Sequence, residues 1–399
     1  MAWERRAGKA FGDRRIMLPY GRQHIDDDDI QAVTEALKSD FLTTGPYVEK
    51  FEDVLCKTTG AKYAVACSNG TTALHLACMA IDLKEGQYAI VPSVTFLAAA
   101  NAVKYCGADV LFCDVDPDTG LMTTKTFQEA LDKAQKQNIN VSAVLPVHLA
   151  GRPVDLAGIK QIADRQNIKV IADACHAVGG QYDGKRIGSA HFEACSTFSF
   201  HPVKTITTGE GGAITTNDTA MAQRMREMRH HNMVKEPGMA PWEYEMKAPG
   251  YNYRMTDIQC ALGISQLKKL ERFVERRHAL VQLYNQMLGS ISPHIKPHHQ
   301  APEDQKISWH LYAARIDFKA LNLSRQSMME QLRQRGIGTQ VHYIPVYNQP
   351  YYRDLYGTLS LPGAEEYYRT TLSLPFYPSM SDTDVETVVS ALRDLIADH

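Results

Sequence analysis

Between Tyr63 and Ala172 the chain alternates two kinds of pattern. Short apolar runs fall at Tyr63–Ala66, Tyr88–Val91, Val110–Cys113, Val141–Val147 and Lys169–Ala172, with helical patterns from near Thr71 and over Phe96–Tyr105, Thr124–Gln137 and Asp155–Gln166. A strand that is apolar on both faces must be covered on both, and helices between such strands do the covering. The alternation therefore predicts an α/β fold with a mostly parallel sheet between helices. In such sheets ligands sit beyond the carboxyl ends of the strands. The polar residues to inspect are then Ser68 to Thr72, Ser93 to Phe96, His148, and Asp173 to His176.

The stretch FSFHPVKTITTGEGG (Phe198–Gly212) offers one lysine, Lys204, among hydroxyl residues (Ser199, Thr205, Thr207, Thr208) and glycines that let backbone approach a bound group. Desolvation or neighbouring positive charge turns a lysine amine into a Schiff-base nucleophile, and His201 is close enough in sequence to shape that setting. The alternative is a solvated lysine beside a Gly-rich turn. At SNGTTAL a tight turn leads into a helix near Thr71, where free N–H groups and the Thr71 and Thr72 hydroxyls suit an anion or form a plain N-cap. Neither a G-x-G-x-x-G fingerprint nor a P-loop occurs. Asp173, placed after the apolar run KVIA, needs a cationic partner if buried, which a protonated pyridine nitrogen supplies; an N-cap or a metal ligand are its other readings. His176 reads equally as a core histidine or a cofactor contact.

Composition narrows the classes. The 399 residues are 44% hydrophobic and 22% charged, enough for a large core and two domains, and the formal net charge of −2 lacks the basic field of a nucleic-acid binder. Eight cysteines stand singly, without metal-binding spacing, as buried thiols of a reducing cytoplasm. The opening MAWERRAGKAFGDRR has no apolar signal core and no apolar run reaches membrane-spanning length, so neither export nor insertion is expected; residues 1–15 are expected to be loosely ordered.

The flanking elements complete the prediction. Ile25–Asp40 reads as a helix with Ile30, Val33 and Leu37 on one face, followed by a loop over Phe41–Tyr47. Met221–Asn232 reads as a helix with a solvated basic stripe, and Pro237–Pro249 as irregular. From Thr256-Asp257 one long helix carries Leu267, Leu270 and Val274 and bridges to a second unit. That unit reads as α+β, with strands at SWHLYAARIDF and GTQVHYIPVY and helices at Arg325–Arg335 and Asp382–Ile396. The expected division is a large domain over residues 16–265 and a bridging helix plus small C-terminal domain over residues 266–399.

Taken in order, SNGTTAL, PSVTFLAAANAV, HLAGRPVD, IADACHAVG, FSFHPVKTITTGEGG, GYNYRMTDIQCALG and VHYIPVY resemble the sugar aminotransferases of the DegT/DnrJ/StrS family, pyridoxal-phosphate enzymes of the aspartate-aminotransferase fold (fold type I). The resemblance runs from about Leu18 to the C-terminus. It implies that Lys204 bonds pyridoxal 5'-phosphate, Asp173 pairs with the pyridine nitrogen, and Phe96 stacks on the ring, unless Phe96 is simply a core residue. It also implies that Thr71, Thr72 and Ser199 hold the phosphate and that His176 lies near the ring oxygen. Asn252, in the G-x-N-x-R-M segment, would reach the phosphate of a neighbouring subunit, which implies a homodimer with shared sites. Thr205 departs from the proline common after the lysine.

The SFHPVK and LPYGRQHI forms look most like family members acting on UDP-linked 4-keto-6-deoxy-N-acetyl sugars of the pseudaminic acid pathway, with L-glutamate as donor. A dehydratase of the same fold is a rival, and its relatives carry histidine where this chain has Lys204. A sensor that keeps the fold without turnover is another, opposed by the presence of Lys204 and Asp173.

Overall fold

The computed structural model describes residues 17–297 and 305–397, so the expectation for residues 1–15 lies outside the described residues. Thirteen α-helices and two main sheets are described. The first half runs α1 (Asp27–Leu37), α2 (Pro46–Thr59), β1 (Tyr63–Cys67), α3 (Gly70–Ala80), β2 (Tyr88–Pro92), α4 (Leu97–Tyr105), β3 (Asp109–Cys113), α5 (Thr124–Lys136), β4 (Val141–Val144), α6 (Leu156–Arg165) and β5 (Lys169–Asp173). Then come β6 (Cys195–Ser199), β7 (Gly212–Thr216), α7 (Thr219–Arg229), α8 (Asp257–Leu267) and α9 (Leu270–Leu288). The remainder is β8 (Ile295–Lys296), β9 (Tyr312–Ile316), α10 (Arg325–Gln334), α11 (Pro350–Tyr356), α12 (Pro362–Thr370), β10 (Thr371–Leu374) and α13 (Asp382–Ala397).

The large sheet has seven strands in the order β1-β7-β6-β5-β4-β2-β3. Strand β7 runs antiparallel to both neighbours, and the other pairs are parallel, so the sheet is mixed and mostly parallel as the sequence predicts. Successive residues face opposite layers: Val170 and Ala172 join the core with Phe51, Phe127 and Phe198, while Ile171 joins Leu74, Val103 and Met225. A third core, around Tyr284, Tyr312, Leu332 and Leu392, lies on the antiparallel sheet β8-β9-β10.

Several elements differ from the sequence reading. The long helix is two, α8 and α9, parted at Lys268 and Lys269; Lys269 is drawn to Asp26 and, at 2.9 Å, to the buried Asp29. GTQVHYIPVY is not a strand but a loop ending in a 3₁₀ turn at Val346–Asn348, joined to β10 by a single bridge between Gln340 and Ser373 and by the His342 ring on the Ser373 hydroxyl. The expected strand SWHLYAARIDF begins at Tyr312, because Ser308 and His310 bond to the large sheet's loops, through Val178 O at 2.7 Å and Ala150 O at 2.9 Å. Helix α7 is not simply solvated on its basic side: Arg229 reaches the buried carboxylate of Glu52 at 2.5 Å and Arg226 reaches it at 3.5 Å. On α1, Ile30 and Leu37 are more than half exposed and the helix buries Asp29 and Ala36 instead. The expected apolar face is thus turned away from this chain's own core.

Candidate active site

The site is built where β1, β5 and β6 end. After Cys67 the chain turns through Ser68 and Asn69 into α3, and Asn69 caps it: its Oδ1 accepts the Thr72 N–H at 2.9 Å while the Thr72 hydroxyl accepts the Asn69 N–H at 3.1 Å. The Thr72 hydroxyl also donates to Asn69 O at 2.8 Å, so both donors of Thr72 are already committed to the turn. Thr71 beside it faces the cavity with the start of the helix. Two glycines let this turn sit where it does. A Cβ on Gly212 would lie 2.3 Å from Asn69 O, and a Cβ on Gly70 would lie 2.8 Å from Ser199 Cβ. Helix dipole, free N–H groups and close backbone approach make a cradle for a dianion such as phosphate.

A cavity of about 820 Å³ opens from this cradle, lined by Thr71, Thr72, Phe96, Asp173, His176, Ser199 and Lys204. The fold therefore brings together seven of the eight residues named from the sequence. Asn252 is exposed and does not line it; its segment pairs with His230 beyond α7. Asp173 ends β5, buried, with Oδ1 accepting the Cys175 N–H at 3.0 Å. Burial pushes the Lys204 amine below its ordinary lysine value, against the opposing pull of Cys175 and Asp173. His201, expected to shape that setting, is itself exposed, and burial of the amine does the work.

His176 is buried and held neutral, first by desolvation and then by Lys204 and His342. Its Nδ1 accepts the Ala150 N–H at 3.3 Å, so the ring proton sits on Nε2, 3.5 Å from the Tyr343 hydroxyl. Phe96 stands at the N-cap of α4, 56% exposed as a residue, and lines the cavity wall.

Sequence reasoning missed some lining residues. His310, 4.3 Å from His176 between ring centroids, is buried with an unpartnered Nδ1; the hydroxyl of Thr95, within the Ser93–Phe96 stretch singled out from the sequence, is likewise buried and unpartnered. Tyr20, His342 and Tyr343 complete that wall. A histidine inside the apolar run WHLYAA was the available signal for His310; Tyr20 and Tyr343 lie within the motifs LPYGRQHI and VHYIPVY, but their place in this wall depends on neighbours remote in sequence.

A family model matches residues 23–393, that of the DegT/DnrJ/EryC1/StrS aminotransferases. The chain belongs to this family. Among solved structures it is similar to the aminotransferase PseC of Helicobacter pylori, involved in the biosynthesis of pseudoaminic acid: 30% identity, TM-score 0.88, covering 96% of this chain and all of that one. Similar too is the aminotransferase TlmJ of Streptoalloteichus hindustanus, at 30% identity and TM-score 0.87 over 96% of this chain and 99% of that one. The Streptococcus pneumoniae protein Spr1654, described as a sugar aminotransferase, matches at 26% identity and TM-score 0.85 in its PLP form, over 96% and 99% of the two chains. The fold is thus that of the PLP-dependent aminotransferases. The cradle, the buried carboxylate, the half-buried lysine and the open Phe96 face fit pyridoxal phosphate: an anion seat, a partner for a ring cation, a nucleophile, and a stacking surface. Among the described residues no cluster could hold a metal ion, and no helix is long and apolar enough to cross a membrane.

Proposed function

We propose that this aminotransferase uses pyridoxal phosphate to move an amino group from L-glutamate to the C4 keto group of a UDP-linked 4-keto-6-deoxy-N-acetyl hexose, in pseudaminic acid biosynthesis. The observation that carries the cofactor chemistry is the half-buried Lys204, its amine desolvated, in one cavity with the buried carboxylate of Asp173. The likeness to the Helicobacter pylori enzyme supports the choice of sugar.

Pyridoxal phosphate, when bound, supplies the electron sink for breaking a C–H bond next to nitrogen. Its phosphate would rest on the N–H groups of Gly70 and Thr71 with the hydroxyls of Thr71 and Ser199, Thr72 shaping the turn beneath them. Asp173 would keep the ring nitrogen protonated, Phe96 would cover one ring face, and His176 would offer its Nε2–H toward the ring oxygen. Lys204, its charge disfavoured by burial, would take the proton from the donor's α-carbon and return one to the sugar carbon. The closure of this wall by His310, His342 and Tyr343 would limit water at that carbon.

We further propose a cytoplasmic homodimer in which Asn252 reaches the partner's cradle. The exposed Ile30, Leu37, Phe41 and Leu42 form apolar surface for a second copy to cover, and Asn252 stands outside its own cavity. The test of the activity is to load the enzyme with cofactor and glutamate, offer a panel of nucleotide-linked keto sugars, and identify the amino product by NMR. Amination of a different sugar would replace the substrate; failure to convert glutamate to 2-oxoglutarate would overturn the reading.

A further inference from the structure

Behind the cradle lies a second reactive cluster that the proposed chemistry leaves unused. His75 and Cys78 are three residues apart on α3 and so share one face, turned toward the end of α4. There Tyr105 meets the His75 ring edge-on with centroids 5.5 Å apart, and the next residue is the half-buried Cys106. Cys78 is buried beside it in the same core. The Nδ1 of His75 contacts the Tyr253 hydroxyl at 3.1 Å, while its Nε2 is buried with no nitrogen or oxygen partner. Two thiols and an imidazole therefore meet at one helix junction. Where α3 packs on α4, the proximity of Cys78 and then of His75 lowers the Cys106 thiol below the ordinary thiol range, whereas Cys106 and burial raise Cys78, which stays protonated.

We propose that Cys106 and Cys78 form an oxidative modification site, taking hydrogen peroxide as oxidant and closing to a disulfide between α4 and α3. The Cys106 thiolate attacks one peroxide oxygen, the O–O bond breaks, and the departing hydroxide leaves as water with a proton from solvent. Cys106 is then a sulfenic acid. The Cys78 sulfur attacks the Cys106 sulfur, the S–O bond breaks, and the leaving hydroxide takes the Cys78 proton. Two thiols have lost two electrons and one peroxide has become two waters. Helix α3 carries the Asn69–Thr72 turn at its other end and α4 carries Phe96 at its N-terminus, so the bond joins two helices that position the cofactor seat. It does not depend on which sugar the enzyme aminates.

The test uses the cofactor-loaded enzyme with stepwise peroxide, alkylation of remaining thiols, and peptide mass mapping. The expected result is a Cys78–Cys106 linked peptide formed before any other cysteine reacts, reversed by dithiothreitol. Cys106→Ser should abolish it, and Cys78→Ala should leave Cys106 without a disulfide partner, oxidised more slowly and only as far as sulfenic or sulfinic acid. Preferential oxidation of Cys56 or Cys175, or a Cys106 that alkylates no faster than Cys56, overturns the proposal. Retained cofactor absorbance before treatment shows that each variant is folded.

Discussion

Asn69 and Thr72 cap each other across the first turn of α3, and in doing so consume the Thr72 hydroxyl and N–H. The two adjacent threonines should therefore separate on substitution. Thr72→Val should lower stability by about 1 kcal/mol, the usual cost of a lost cap, with a smaller effect on cofactor affinity. Thr71→Val should leave the melting temperature of the apoprotein near wild type and weaken pyridoxal phosphate binding about tenfold, the worth of one hydrogen bond to a charged group. Equal loss of cofactor affinity in both variants, by titration, would refute the division of roles.

Gly212→Ala places a carbon where only 2.3 Å separates it from Asn69 O. Backbone cannot move aside as a flexible side chain can, so the turn itself must shift. The expected cost is about 2 kcal/mol in stability, together with weaker cofactor retention on dialysis. A variant with normal melting temperature and retention would show that the cradle tolerates the displacement.

Lys204→Ala should abolish the visible absorbance of the lysine-bound cofactor and reduce kcat at least about a thousandfold, since proton transfer at the reacting carbon loses its base. Asp173→Asn should still bind cofactor but turn over poorly, because an amide cannot hold a charge on the ring nitrogen. Spectra and single-turnover rates of the two variants distinguish them; full activity in Lys204→Ala would sink the central assignment.

Mixing Lys204→Ala with Asn252→Ala protein, each impaired alone, should restore part of the activity under subunit exchange. One hybrid site then holds both native residues. Sedimentation showing a fully active monomer, or exchange without recovery, would remove the shared site.

Burial lowers His148 and His342 to about 3, from an ordinary histidine value near 6.5. Between those limits the unfolded chain binds protons that the native state refuses, so their contribution is intact above about pH 6.5 and is lost as pH falls toward 3. Each group can add up to about 1.4 kcal/mol per pH unit to that loss. His148→Gln should therefore show a shallower fall in melting temperature between about pH 7 and pH 5. An unchanged slope would mean that His148 is not held neutral.

Local pattern made most of this protein legible before its structure. The apolar runs that became β1 to β5, the cap at the start of α3, and the placing of Asp173 and Lys204 in motifs all depend on residues near in sequence, because strand period, capping and turn chemistry act over a few positions. Tertiary structure alone decided what those motifs share. It brought His310 and Tyr343 against His176, diverted GTQVHYIPVY from a strand into the cavity wall, and split the long helix at Lys269 to meet Asp29. It also turned Ile30 and Leu37 outward, since a helical period shows that an apolar face exists but not which surface will cover it. Such contacts join residues far apart in the chain, and their energies exist only once the layers have packed.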